Sequence, residues 1–94
     1  MDNTFLTQIT NGTIEEVETG RNGSFVLVSY RDCPNCGRQD QTIRLNVSNN
    51  TVIMDESSER IPLRDLRTGM TVNAAFSNAT TRSIPPQAAA YVIQ

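Results

Sequence analysis

Histidine, lysine and tryptophan do not occur in this chain, and cysteine occurs only twice. Without histidine, the usual general base near neutral pH and the commonest metal ligand are both missing. Without lysine, all eight basic residues are arginines. Arginine offers planar, bidentate contacts that lysine lacks, although for eight residues nucleotide composition bias or chance is the better explanation. Aromatic residues make up 5% of the chain. The core must therefore rest on valine, isoleucine, leucine and alanine, with Phe25, Phe76, Tyr30 and Tyr91 as larger fillers. No apolar run is long enough to cross a bilayer, and the opening MDNTFLTQIT lacks the basic and apolar regions of a signal peptide. These absences point to a soluble cytoplasmic protein without a membrane partner. The net charge of −2 gives no general attraction to nucleic acid or anionic lipid.

Ninety-four residues suit one small domain with a modest core. Threonine, serine and asparagine are abundant, which favours strands and turns over long helices. The apolar period is mostly two. Ile43, Leu45 and Val47 alternate with Thr42, Arg44 and Asn46, and Met70, Val72, Ala74 and Phe76 alternate with Thr71, Asn73 and Ala75. In SFVLVSYR (24–31), Val26, Val28 and Tyr30 share one face, and Phe25 and Leu27 share the other with Ser29 and Arg31. Ile14 and Val17 stand three apart, so a strand over 12–18 needs a bulge at Glu15-Glu16 to turn both inward. Asn22-Gly23 marks a tight hairpin turn. Short strands follow at 51–54 and 88–93, with an extended proline-rich connector at 83–87. One helical turn is predicted near 62–67, opened by Pro62 and stopped by Gly69, with Leu63 and Leu66 capping one barrel end.

Six short strands with frequent turns predict an all-β fold: a small OB-like barrel of five or six strands, ordered over about residues 9–94, with residues 1–8 outside it. Closure removes exposed sheet edges. The stretches from Gly12 to Val17, from Leu63 to Val72 and from Ala90 to Ile93 carry the pattern G-x-I-x-x-V, D-L-x-x-G-x-x-V and A-x-x-I. This order resembles small bacterial β-barrel domains of OB-like shape, many of unknown function and some appended to envelope proteins. The resemblance implies a barrel and transfers no catalytic residue, because these motifs mark turns and core positions.

Both cysteines lie in RDCPNCGRQD (31–40), spaced as Cys33-Pro-Asn-Cys36-Gly. The segment separates two strands, so a hairpin tip is expected, with Pro34, Asn35 and Gly37 suited to turn positions. Such a tip brings two sulfurs together, as in half of a zinc ribbon. Structural zinc takes four nitrogen or sulfur ligands, and this chain offers two cysteines, with Asp32 and Asp40 as neighbouring oxygens. A homodimer that bridges one zinc through Cys33 and Cys36 of each copy would complete a site. A redox pair is a second reading; it lacks the helix N-terminus that lowers a thiol pKa, and Asp32 and Asp40 oppose Arg31 and Arg38. A plain turn with two reduced or casually oxidised thiols is the favoured reading, because turn geometry alone accounts for its proline, asparagine and glycine.

Arg31, Arg38 and Arg44 gather along this hairpin as a binding surface, and Arg60, Arg64 and Arg67 gather near the helical turn. Single-strand binding through a basic groove needs interleaved aromatics. None is expected beside Arg44, Phe25 being assigned to the core or rim. Glu15, Glu16 and Glu18 would repel phosphate. The acidic stretch Asp55–Glu59 lacks the spacing of a calcium loop and reads as solvated. No nucleophile beside a base and no glycine-rich phosphate loop can be assembled. The chain is thus expected to be a non-enzymatic binding or interaction module for a ligand or protein partner. The zinc-linked homodimer and a single-stranded nucleic-acid binder are its alternatives.

Overall fold

A computed structural model of the chain describes residues 6–21, 23–31, 41–77, 81 and 85–94. Six strands occur in it: β1 (Leu6–Glu18), β2 (Ser24–Tyr30), β3 (Gln41–Val47), β4 (Val52–Ile53), β5 (Thr71–Ser77) and β6 (Gln87–Ile93), with one 3₁₀ turn at Leu63–Asp65. The sheet runs β3-β2-β1-β5-β6-β4, and a parallel pairing of β3 with β6 closes it. The expected barrel is therefore present as a closed, mixed, five-stranded barrel with one extra short strand. Closure is made at Arg44↔Gln87, Leu45↔Ala88 and Asn46↔Ala89, and the Arg44 N–H donates to the Pro86 carbonyl at 2.9 Å.

β1 makes the closure geometrically possible. Its first half pairs with β5 and its second half with β2, and the register slips twice, between Ile9 and Gly12 and between Ile14 and Glu16. Each irregularity bends the strand and increases its twist, so one long strand serves both sides of the barrel. The second slip is the bulge that the Ile14–Val17 spacing requires, and it buries Ile14 completely while Val17 packs against the core. At the first slip Asn11 has φ 56°, and its N–H donates to Asn73 Oδ1 at 3.1 Å. Gly12 passes so close to β2 that a Cβ there would lie 2.6 Å from Val28 Cγ1.

The inward faces follow the alternation in β2, β3 and β5: Val26, Val28, Ile43, Leu45, Val72 and Phe76 are all buried. Phe76 faces Ala90 in register, so a large ring meets a small side chain across the barrel wall. Tyr30 packs against the core from its edge, whereas Tyr91 is 44% exposed and is not a filler. Met70 also departs from its expected inward position. It precedes β5 in the turn after the 3₁₀ segment and is 39% exposed. Gly69, with φ 96°, turns the chain there, and its N–H donates to the Ile14 carbonyl at 2.7 Å. Pro62 lies just outside the 3₁₀ turn as its extended N-cap rather than inside it. Leu66 is buried and Leu63 is partly buried against the same core, so this segment closes one barrel end.

Candidate functional site

The outer face of β1, β2 and β3 carries the polar chemistry. Antiparallel register places Glu18 beside Phe25 and Glu16 beside Leu27, and then Phe25 beside Asn46 and Leu27 beside Arg44. Residues directly paired share a face, and diagonal neighbours remain within reach of long side chains. Arg44 uses that diagonal. Its guanidinium carbon lies 3.8 Å from the centroid of the Phe25 ring, a cation–π contact. Phe25 is only 9% exposed, yet it stands apart from the hydrophobic core cluster. Its burial agrees with the assignment to the core or rim, but the expectation of no aromatic beside Arg44 is corrected: the guanidinium lies over this ring.

Arg44 is half-buried, and its Nε is buried without a hydrogen-bond partner. A buried, unpaired N–H costs roughly 1–3 kcal/mol, so this atom marks a position where an acceptor would be favourable. Arg44 also lines a groove of about 540 Å³. The β1–β2 connection forms one wall, with Glu18, Arg21 and Ser24; Phe25 and Arg44 form the floor; Asn46 and Gln87 form the far wall. Local geometry holds these walls in place. Gly23, with φ 135°, completes the turn after β1, and its N–H donates to the Gly20 carbonyl at 3.3 Å. The far wall is a pair of amides at the seam of the barrel, where Asn46 Nδ2 donates to Gln87 Oε1 at 3.4 Å. Gln87 itself is tied down by its N–H, which donates to Thr81 Oγ1 at 3.0 Å. Two arginines and one glutamate give this lining a net charge of +1, in a chain whose net charge is −2.

No protein-family model, curated protein or solved structure matches the chain.

The other residues singled out in the sequence fall elsewhere. Arg31 is exposed just beyond β2. Strand alternation puts it on the same face as Leu27, but four residues along, or about 13 Å at ~3.3 Å per residue. Arg44 leans the other way, toward Phe25, so the two arginines do not share the groove. Cys33, Cys36 and Arg38, together with Asp32 and Asp40, lie outside the described residues. Among the described residues, no cluster of three or more histidine, cysteine, aspartate or glutamate side chains is placed to hold a metal. Asp55 organises the acidic turn, because its Oδ1 accepts from the N–H groups of Ser57 at 2.9 Å and Glu59 at 3.0 Å. Arg60, Arg64 and Arg67 are exposed around the 3₁₀ segment. No helix among the described residues is long and apolar enough to cross a membrane.

Two further concavities lack the features of the first. One, of about 350 Å³, lies between Met54, Ile61, Leu66 and Met70 and the acidic turn. The other, of about 270 Å³, lies along β1 and β5 near Asn73. Neither is lined by an arginine or by a buried polar atom that lacks a partner.

Proposed function

We propose that this protein is a non-enzymatic binding module and that its ligand occupies the groove beside Arg44. The observation that carries this reading is a half-buried guanidinium, held over Phe25, that lines the groove. The cation–π contact positions the arginine without consuming the N–H groups of its terminal nitrogens, which lie in the guanidinium plane, whereas Nε is shielded from the groove. The position of the groove supports an OB-like reading of the barrel, because such barrels take ligands on the face of their second and third strands and on the adjoining loops. Here the floor belongs to β2 and β3, and one wall is the β1–β2 connection.

The same arginine favours single-stranded nucleic acid as a second reading, since a guanidinium plane can carry a stacked base. Glu16 and Glu18 on the adjacent strand oppose it by repelling phosphate.

Amide-resolved NMR with a mixed panel of small polar compounds and short oligonucleotides tests the module. Shifts are expected at residues of the β1–β2 connection, at Arg44 and Asn46, and at Gln87, and they should weaken in Arg44→Gln. Shifts that cluster elsewhere, or that persist unchanged in Arg44→Gln, would refute the assignment of the groove.

A further inference from the structure

We infer that the outer face of β5 and β6 is a self-association surface, and that its occupant is a second copy of this chain. β6 carries the first sign. Its run AAAYVI (88–93) is apolar or aromatic at every position, as in a strand covered on both faces. The inward side of that run is covered: Ala88, Ala90 and Ile93 are buried in the core. The outward side is not. Ala89 is exposed, Tyr91 is 44% exposed and Val92 is half-buried. Register extends this outward side across four strands. Ala75 pairs with Gln8 on β1 and with Val92 on β6, and Val92 pairs with Val52 on β4, so all four share one face. An apolar ridge with an exposed tyrosine thus lies on the outside of the barrel, where a single copy leaves it to water.

Charge selects the occupant. β4, β5, β6 and the part of β1 before Glu15 contain no aspartate, glutamate or arginine. The charged strand residues stand on the second half of β1 and on β3. In a two-fold contact each patch meets itself, so a net charge on the patch would repel its own image. This face carries none, although the chain has a net charge of −2. A charged partner would find no complement here. Depletion of charge together with an exposed aromatic is the composition of an interface core. The shape agrees. Gln8, Ala75 and Val92 line a hollow of about 270 Å³, and Tyr91 precedes Val92 on β6 without lining it. A projecting ring beside a hollow is an arrangement that a two-fold axis makes mutual, with each Tyr91 entering the hollow of the other copy.

The experiment is sedimentation equilibrium of the full chain over a concentration series. A reductant and EDTA are present, so that Cys33 and Cys36 cannot link copies through a disulfide or zinc. A dimer is expected, with concentration-dependent NMR shifts at Ala75, Ala89, Tyr91 and Val92. Tyr91→Glu sets like charges into both halves of the contact, and Ala75→Glu puts one in each hollow. Each should weaken the dimer by about thirtyfold. Tyr91→Phe keeps the ring and should retain it, as should Glu16→Gln on the second half of β1. The backbone spectrum of each variant reports whether it is folded. A monomer at about 1 mM would overturn the inference, and so would a dimer that neither Tyr91→Glu nor Ala75→Glu weakens. A monomer whose Ala75 and Val92 amides shift with maltose would overturn it in favour of a neutral saccharide. A dimer seen only when zinc replaces EDTA would return the linkage to the cysteines and overturn it too. None of these outcomes bears on the groove beside Arg44.

Discussion

Thr51 is buried, and its hydroxyl makes two contacts. Oγ1 donates to the Ala90 carbonyl at 2.7 Å and accepts from the Ser48 N–H at 3.0 Å. One side chain thus ties the turn after β3 to β6, across the seam that closes the barrel. Thr51→Val keeps the shape and removes both hydrogen bonds. It should lower stability by about 1–3 kcal/mol, read as a lower denaturant midpoint with an unchanged slope; an unshifted midpoint would show that the seam does not depend on this hydroxyl. Gly12 depends on space instead. An added Cβ would press on Val28, a fully buried β-branched side chain with no room to withdraw. Gly12→Ala should cost about 1–3 kcal/mol by the same measurement, and a neutral result would mean that the bulge relaxes freely. The Arg44–Phe25 contact shows how far single residues are legible in sequence. Alternation places both on the outward face. Their meeting depends on the diagonal between β2 and β3, which is set by a cross-strand register that no periodicity in one strand contains.

At the level of elements, the regular strands were legible because their alternation is unbroken: β3 and β5 appear where Ile43, Leu45, Val72 and Phe76 place them. The bulge at Glu15-Glu16 was legible from a three-residue gap between apolar positions. The first half of β1 was not. Leu6–Thr10 is interleaved with polar residues, and a second irregularity between Ile9 and Gly12 removes the period that would have betrayed a strand. Met70 misled for a related reason: a period of two was extended one residue past the strand into the turn set by Gly69. The 3₁₀ segment closes the barrel end mainly through one side chain. Leu66→Ala should cost about 2–4 kcal/mol, and Leu63→Ala, from a partly buried position, clearly less; equal losses would contradict the role of Leu66 as the end cap. Hydrogen exchange should follow pairing. Val26 and Val28 lie on β2 between β1 and β3 and should exchange near the global unfolding limit. The two-residue β4 should open locally and exchange faster; uniform protection would contradict this ordering.

For the whole molecule, the absence of histidine and lysine matters less for the chemistries it excludes than for the residue that remains. Among the described residues, the cation that meets an aromatic ring is an arginine. Its planar fork gives directional contacts on a chain whose overall charge is negative. The barrel supplies the rigid frame. The parallel seam holds Arg44 opposite Gln87, and β2 holds Phe25 beneath the guanidinium, so the groove is preorganised by the same pairings that close the fold. The most direct test of this account is the Arg44 Nε–H resonance in a nitrogen-15 spectrum optimised for arginine side chains. In the free protein this signal should stand apart through the ring current of Phe25 and return toward the other arginines in Phe25→Leu. On titration with any probe that shifts the groove amides it should move in step with them. A resonance indistinguishable from those of exposed arginines, and unmoved by any probe that binds, would contradict the account.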